Sequence, residues 1–173
     1  MLNAAKYSAT ERLRDGRSIE IRALTPQDQA DLITAVGRIS AQSMYRRFFG
    51  AKRYFSDKEV DFFVNVDFIN HVALVVVLQD GGRTTIVAGG RYVVQQPGVA
   101  EVAFAVVDEY QGHGIGAALL RHLAIIAREA GLTEFTAEVL PDNTAMLKVF
   151  EKSGLKPVVK RGADATHVTL RLS

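Results

Sequence analysis

The stretch DEYQGHGIGAALL, residues 108–120, places glycines at 112, 114 and 116 between a β-branched run and an apolar run of helical spacing. Glycine accepts positive φ at little cost, so glycines at alternate positions let successive backbone N–H groups converge. Converging N–H groups at the start of a helix form a nest for an anion, reinforced by the helix dipole. Phosphate is the natural guest. A plain strand-to-helix turn accounts for one of these glycines, or two; three in this place point to a phosphate cradle.

A nucleoside-triphosphate loop requires Gly-Lys-Ser/Thr, a sequence that does not occur in the chain. A dinucleotide-binding pattern can be traced as Gly112-x-Gly114-x-x-Ala117. In that motif, however, the strand runs almost directly into the first glycine. Here the polar residues Asp108, Glu109, Tyr110 and Gln111 intervene, and the preceding strand belongs to a meander rather than to an opening βαβ unit.

The elements that must hold this loop read as follows. SIEIRAL (18–24) alternates apolar and polar residues with the period of a half-buried strand. Thr25-Pro26-Gln27-Asp28 is a helix start, Ser40 opens a second helical segment, and SDKE (56–59) is a capping box. HVALVVVL (71–78), TIVAGGRYVV (85–94) and EVAFAVV (101–107) are three strands joined by the turn signals DGG and QQPG, hence an antiparallel meander. A helix over about 114–131 follows, with Ile115, Leu119, Leu123, Ile126 and Ala130 on one face and Gly131 ending it. EFTAEVL (134–140) runs parallel to the strand before that helix, as a β-α-β crossover requires. Asp142 or Asn143 caps a last helix with Met146, Leu147 and Phe150 on its apolar face, and PVVK and THVTLRL close the sheet. Residues 1–17 read as a polar, poorly determined lead-in, and 18–173 as a single α+β domain.

Composition narrows the chemistry. The chain has 173 residues and no cysteine, which removes disulfides, thiolate catalysis and cysteine-based metal sites. Its four histidines, at 71, 113, 122 and 167, have neither catalytic-triad nor metal spacing, so no metal is expected. A net charge of +2 is too small to argue for nucleic acid. The N-terminus lacks the apolar core of a signal peptide, and the longest apolar run, Val72 to Leu78, is far short of a membrane span. A soluble cytoplasmic protein is the expectation.

VVDEYQGHGIGAALL resembles the signature of the GNAT acyltransferase superfamily, in which Gln/Arg-x-x-Gly-x-Gly/Ala binds the pyrophosphate of acetyl-CoA; Gln111, Gly114 and Gly116 match its fixed positions. NTAMLKVFEKSGL (143–155) resembles the second motif of the family, and the order of elements over 18–173 fits its fold. The resemblance implies a mostly antiparallel twisted sheet flanked by helices, with a splayed parallel strand pair at about 101–107 and 134–140. It implies acetyl-CoA as cosubstrate, with Gln111, Gly112, His113, Gly114, Ile115, Gly116 and Ala117 around its pyrophosphate. The backbone of Phe104 and Val106 would hold the pantetheine arm as an added strand, with Asn143 as a further polar contact. Phe150 stands where many relatives carry a tyrosine able to protonate the leaving thiolate, which phenylalanine cannot do.

The implied chemistry is direct attack of an amine on the thioester. A lysine of pKa ~10.4 is cationic at pH 7, and deprotonating it costs about 4–5 kcal/mol. A positioned carboxylate is the usual remedy. Glu101, at the start of the strand leading into the loop, is the expected general base, with Glu138 a second choice and Asp108 and Glu109 exposed turn residues. The acceptor is less defined. SMYRRFFGAKRYFS (43–56) combines Arg46, Arg47, Lys52 and Arg53 with five aromatics and reads as a basic face over core aromatics rather than a nucleic-acid surface. With its flanks, this string is similar to the acetyltransferase domain of bacterial Pat-type protein lysine acetyltransferases, which implies a lysine such as one on an acyl-CoA synthetase. A small amine and a non-catalytic acyl-CoA sensor remain open, as does monomer or homodimer.

Overall fold

The computed structural model describes residues 2–40, 55–80 and 82–172. Its described strands form one eight-stranded sheet in the order β1-β2-β3-β4-β5-β6-β8-β7. These are β1 (Ser8–Arg12), β2 (Ser18–Ala23), β3 (His71–Asp80), β4 (Arg83–Gln96), β5 (Val99–Val106), β6 (Glu134–Val139), β7 (Pro157–Arg161) and β8 (Thr166–Arg171). Every neighbouring pair is antiparallel except β5 and β6. The described α-helices are α1 (Gln29–Gly37), α2 (Asp57–Val64), α3 (Ile115–Glu129) and α4 (Thr144–Lys152). The fold is α+β, with the expected meander, crossover helix and closing strands. The helical segment expected from Ser40 and the cations Arg46, Arg47, Lys52 and Arg53 fall in 41–54, outside the described residues.

Strand β3 is buried on both faces from Val72 to Leu78, which explains its unbroken apolar run. One face of the sheet takes α3, whose Leu119, Leu120 and Leu123 are fully buried. Each such leucine contributes roughly 1.5–3 kcal/mol over an exposed one. The expected stripe on α3 needs one correction: Ala130 is exposed at the helix end, and Ala127 takes the buried position. The opposite face takes α1, packed over β4.

The segment before residue 18 is not the undetermined lead-in that its polarity suggests. Its strand β1 pairs with β2 from Ser8↔Arg22 to Arg12↔Ser18. Tyr7 and Glu11 then reach α3, where the Tyr7 hydroxyl meets His122 Nδ1, Glu11 meets His122 Nε2, and Arg121 adds a 2.8 Å ion pair to Glu11. The sheet edge and the helix that follows the glycine loop are thus tied by side chains more than a hundred residues apart in sequence.

The start at Thr25 is built around Asp28. Its carboxylate accepts from both terminal nitrogens of Arg22, at 2.8 and 2.9 Å, and from the Thr25 backbone N–H at 2.8 Å. Burial pushes the Asp28 carboxyl up, but the hydrogen bonds from Arg22 and Thr25 outweigh it and hold the group below the usual carboxylate range. A carboxyl so depressed stabilises the fold at neutral pH and loses that contribution as the pH falls through the carboxylate range and below it. Asp28→Asn is expected to cost about 1–3 kcal/mol at pH 7. Urea unfolding at pH 7 and at pH 3 checks this: the gap to the wild type must narrow in acid.

Candidate active site

Strands β5 and β6 pair over only three positions, Val99↔Glu134, Ala100↔Phe135 and Glu101↔Thr136. Beyond Glu101 they part. Side chains alternate along β5, so Glu101, Ala103 and Ala105 share the face of α1 and α2, while Val102, Phe104 and Val106 share that of α3 and α4. A cleft of about 330 Å³ fills the gap, lined by residues of both faces. Glu101, Ala103 and Ile39 stand on one side of the sheet, and Phe104, Ala137, Val139 and Phe150 on the other.

The parting leaves main-chain groups of β5 without a strand partner. The Val107 N–H donates to the Val87 carbonyl at 2.9 Å, so alternation turns the amides of Phe104 and Val106 away from β4 and toward the gap. Consistent with this, the Val106 carbonyl accepts a 3.0 Å hydrogen bond from Gln111 Nε2. The amides of Phe104 and Val106 thus border the gap, and Gln111 is placed by its own bond to the strand it follows.

The three glycines divide by role. Gly112 and Gly114 have φ of +81° and +85°, with open space where a side chain would stand, and Gly114 caps α3 from the left-handed region. The amides of Ile115, Gly116 and Ala117 precede the first intrahelical bond, from the Ala118 N–H to the Gly114 carbonyl, and form the positive end of the helix at the cleft. Gly116 is different. A Cβ there would stand 3.2 Å from Val149 Cγ2 on α4, so this glycine admits the neighbouring helix. His113 is half-buried at the loop, outside the cleft-lining residues.

Asp108 and Glu109 are exposed, as expected of a turn, yet not idle. Asp108 Oδ1 accepts from the Ser40 N–H at 3.0 Å, and Glu109 forms an ion pair with Arg38. Between them Tyr110 is buried, with the guanidinium groups of Arg17 and Arg38 over its ring at 5.4 and 5.8 Å. The loop is thereby anchored to the end of α1 and to the β1–β2 turn, which local sequence did not reveal.

Asn143 caps α4 through a 3.2 Å bond from the Met146 N–H to its Oδ1, and lines the cleft as well. Phe150 is buried, its ring 6.3 Å from that of Phe104. Glu101 is exposed at the cleft, on the α1–α2 side. Glu138 also lines the cleft, with Oε1 2.6 Å from His167 Nδ1 on β8.

A second cavity of about 90 Å³ lies between α1, α2 and the sheet. Ile39, Ala103 and Ala105 line both cavities. In the wall of the smaller one, Arg91 donates to His71 Nε2 at 2.9 Å and lies 4.6 Å from the Phe63 ring centroid. Burial, followed by the Arg91 charge, lowers the His71 pKa to about 4, so this histidine is neutral at pH 7 and accepts from the guanidinium. Among the described residues no group of His, Asp and Glu side chains is arranged to hold a metal ion, and no helix is long and apolar enough to cross a membrane.

A split parallel pair beside a glycine-rich helix start is the arrangement that an acyl-CoA-dependent acyltransferase needs. The family profile described as Acetyltransferase (GNAT) family matches residues 39–155, and the chain belongs to this family of acetyltransferases, whose acetyl donor is acetyl-CoA. It is 32% identical over 144 residues to Acetyltransferase Pat of Mycolicibacterium smegmatis, covering 82% of this chain and 42% of that protein. Acetyltransferase PA5475 of Pseudomonas aeruginosa is 31% identical over 137 residues, 79% of this chain and 74% of that protein. The crystal structure of the GNAT domain of S. lividans PAT superposes with a TM-score of 0.86 at 35% identity, covering 95% of this chain and 96% of that one. The chain spans less than half the length of the mycobacterial Pat.

The contact of Gly116 with α4 carries a prediction. Gly116→Val is expected to destabilise the protein by about 1–3 kcal/mol through overpacking against Val149. Thermal melting should show the loss, and Val149→Ala in the same chain should restore most of it.

Proposed function

We propose that the chain transfers an acetyl group from acetyl-CoA to a primary amine, with Glu101 as general base. The parting of β5 and β6 directly after Glu101 supports this reading, since the carboxylate borders a stretch of β5 along which an amide-bearing chain can pair as an extra strand. The pantetheine arm lies along β5 against Phe104 and Val106, and the pyrophosphate sits on the amides from Gln111 to Ala117. The residues present suit that ligand, because Gly112 and Gly114 leave the loop open and the helix N-terminus favours negative charge.

The amine nitrogen attacks the thioester carbonyl carbon. A C–N bond forms, the C–S bond breaks, and the electron pair leaves with sulfur. Glu101 takes the proton that the nitrogen must lose, directly or through water. The thiolate is a fair leaving group and takes its proton from solvent, since Phe150 has none to give. Glu138, engaged with His167 beyond the point of parting, is the poorer candidate for the base. A protein lysine is the favoured acceptor, supported by the likeness to Pat acetyltransferases, with a small amine as the alternative that an acceptor screen with mass detection separates.

Glu101→Gln is expected to lower kcat by about 10²–10⁴-fold while acetyl-CoA affinity stays unchanged. The deficit should shrink as the pH approaches the pKa of the amine itself. An unaltered rate of CoA release would remove Glu101 from the mechanism. Gly114→Val forces a β-branched residue into the left-handed region, and acetyl-CoA affinity by calorimetry is expected to fall at least about tenfold. Undiminished affinity in a folded variant would overturn the cradle.

A further inference from the structure

Strand β4 carries adjacent glycines, Gly89 and Gly90, in its interior, where glycine weakens a strand and has no turn to make. Gly90 is not in the left-handed region, so its backbone does not demand glycine. The space around it does. Gly90 stands opposite Phe104 in the register of β4 and β5, between the pairs Ala88↔Val106 and Tyr92↔Val102. A Cβ on Gly90 would lie 2.8 Å from Phe104 Cδ1 and 3.2 Å from its Cε1. The ring therefore leans back from β5 over the main chain of β4, into the place that a side chain at position 90 would take.

The direction of that lean matters because of where the sheet divides. At the end where β5 and β6 are paired, Tyr92 leans the other way. Its buried ring spans β5 and meets that of Phe135 on β6, with centroids 5.5 Å apart. Beyond the parting, the ring of Phe104 lies over β4 instead. It is confined there on three sides. The main chain of β4 is beneath it, Leu123 Cδ1 comes within 3.3 Å of the same Cβ position, and the Phe150 ring is 6.3 Å away between centroids. The remaining side is the cleft, which Phe104 lines. In a close-packed interior a displaced ring moves to where there is room. A side chain at position 90 would drive this one into the gap.

We propose that Gly90 is a positioning residue for the acyl donor: by leaving Phe104 a seat over β4, it keeps the gap beside β5 clear for the chain that pairs there. The inference rests on the placement of acetyl-CoA along β5 proposed above. Gly90 acts through the aromatic ring and takes no part in the chemistry.

Calorimetry and steady-state kinetics of the full chain test it. Gly90→Ala is expected to weaken acetyl-CoA binding by about tenfold or more, with the KM for acetyl-CoA rising in step and kcat at saturation within about threefold of the wild type. A merely structural glycine would lower the melting temperature and leave the affinity of the folded protein unchanged. Valine at position 104 ends at its γ carbons, short of the Cδ1 that the added methyl group meets. Gly90→Ala/Phe104→Val is therefore expected to bind acetyl-CoA within about threefold of Phe104→Val alone. Unaltered acetyl-CoA affinity in folded Gly90→Ala overturns the proposal. So does a loss of affinity caused by Gly90→Ala in the Phe104→Val background, or a double variant that does not fold when Phe104→Val does. That comparison decides the matter should Gly90→Ala alone melt. Failure of the wild type to bind acetyl-CoA would instead sink the reading of the cleft.

Discussion

The structure turns on a hydrogen-bond ladder that stops. After Glu101↔Thr136 the parallel pair ceases, and the sheet continues as two half-sheets joined by three residue pairs. Backbone groups inside a protein need partners, so strands do not separate unless their other neighbours hold them in place. Here β5 is held by β4 over nearly its whole length, and β6 by β8 over all of it. Helix α3 connects the two halves and packs on β3, β4 and β5, with α4 against it. A slot through the sheet follows from secure outer pairings.

The helix start at the slot depends on contacts from far away in the chain. Tyr110, Asp108 and Glu109 are anchored by Arg17, Arg38 and Ser40, and the body of α3 by Tyr7 and Glu11. Two glycines provide the unusual backbone and the third provides the room for α4, so the loop is a product of tertiary contacts as much as of local conformation. These ties hold the N–H groups of the loop and of the helix start in fixed directions.

Much of this was legible in the sequence because it rests on periodicity and on residue types with narrow meanings. The alternation of β2, the apolar run of β3, the stripe of α3 and the Ser56–Glu59 capping box each declare themselves locally. The meander followed by a helix fixes one parallel pair, and the glycine loop marks the start of the helix that follows it. What stayed hidden depends on distant partners. Strand β1 is short, half-exposed and rich in polar residues, and only its pairing with β2 makes it a strand. Gly116 reads as a third cradle glycine until Val149, on another helix, is seen against it. Asp108 and Glu109 look like ordinary turn residues because Arg38 and Ser40 lie some seventy positions upstream. The second cavity has no signature at all, since alanines in a strand are ordinary until two helices roof them.

The bond from Gln111 to the Val106 carbonyl has a consequence for the protein in isolation. A strand edge with unanswered main-chain groups invites any extended segment to pair with it, which is how sheets recruit foreign chains and aggregate. The opened flank of β5 is such an edge, recessed within the molecule. A side-chain amide on a short tether offers the edge the same donor that an intruding backbone would, without a chain behind it to extend the ladder. Gln111 therefore answers the Val106 carbonyl on this edge with a donor that carries no chain behind it and so ends the ladder there.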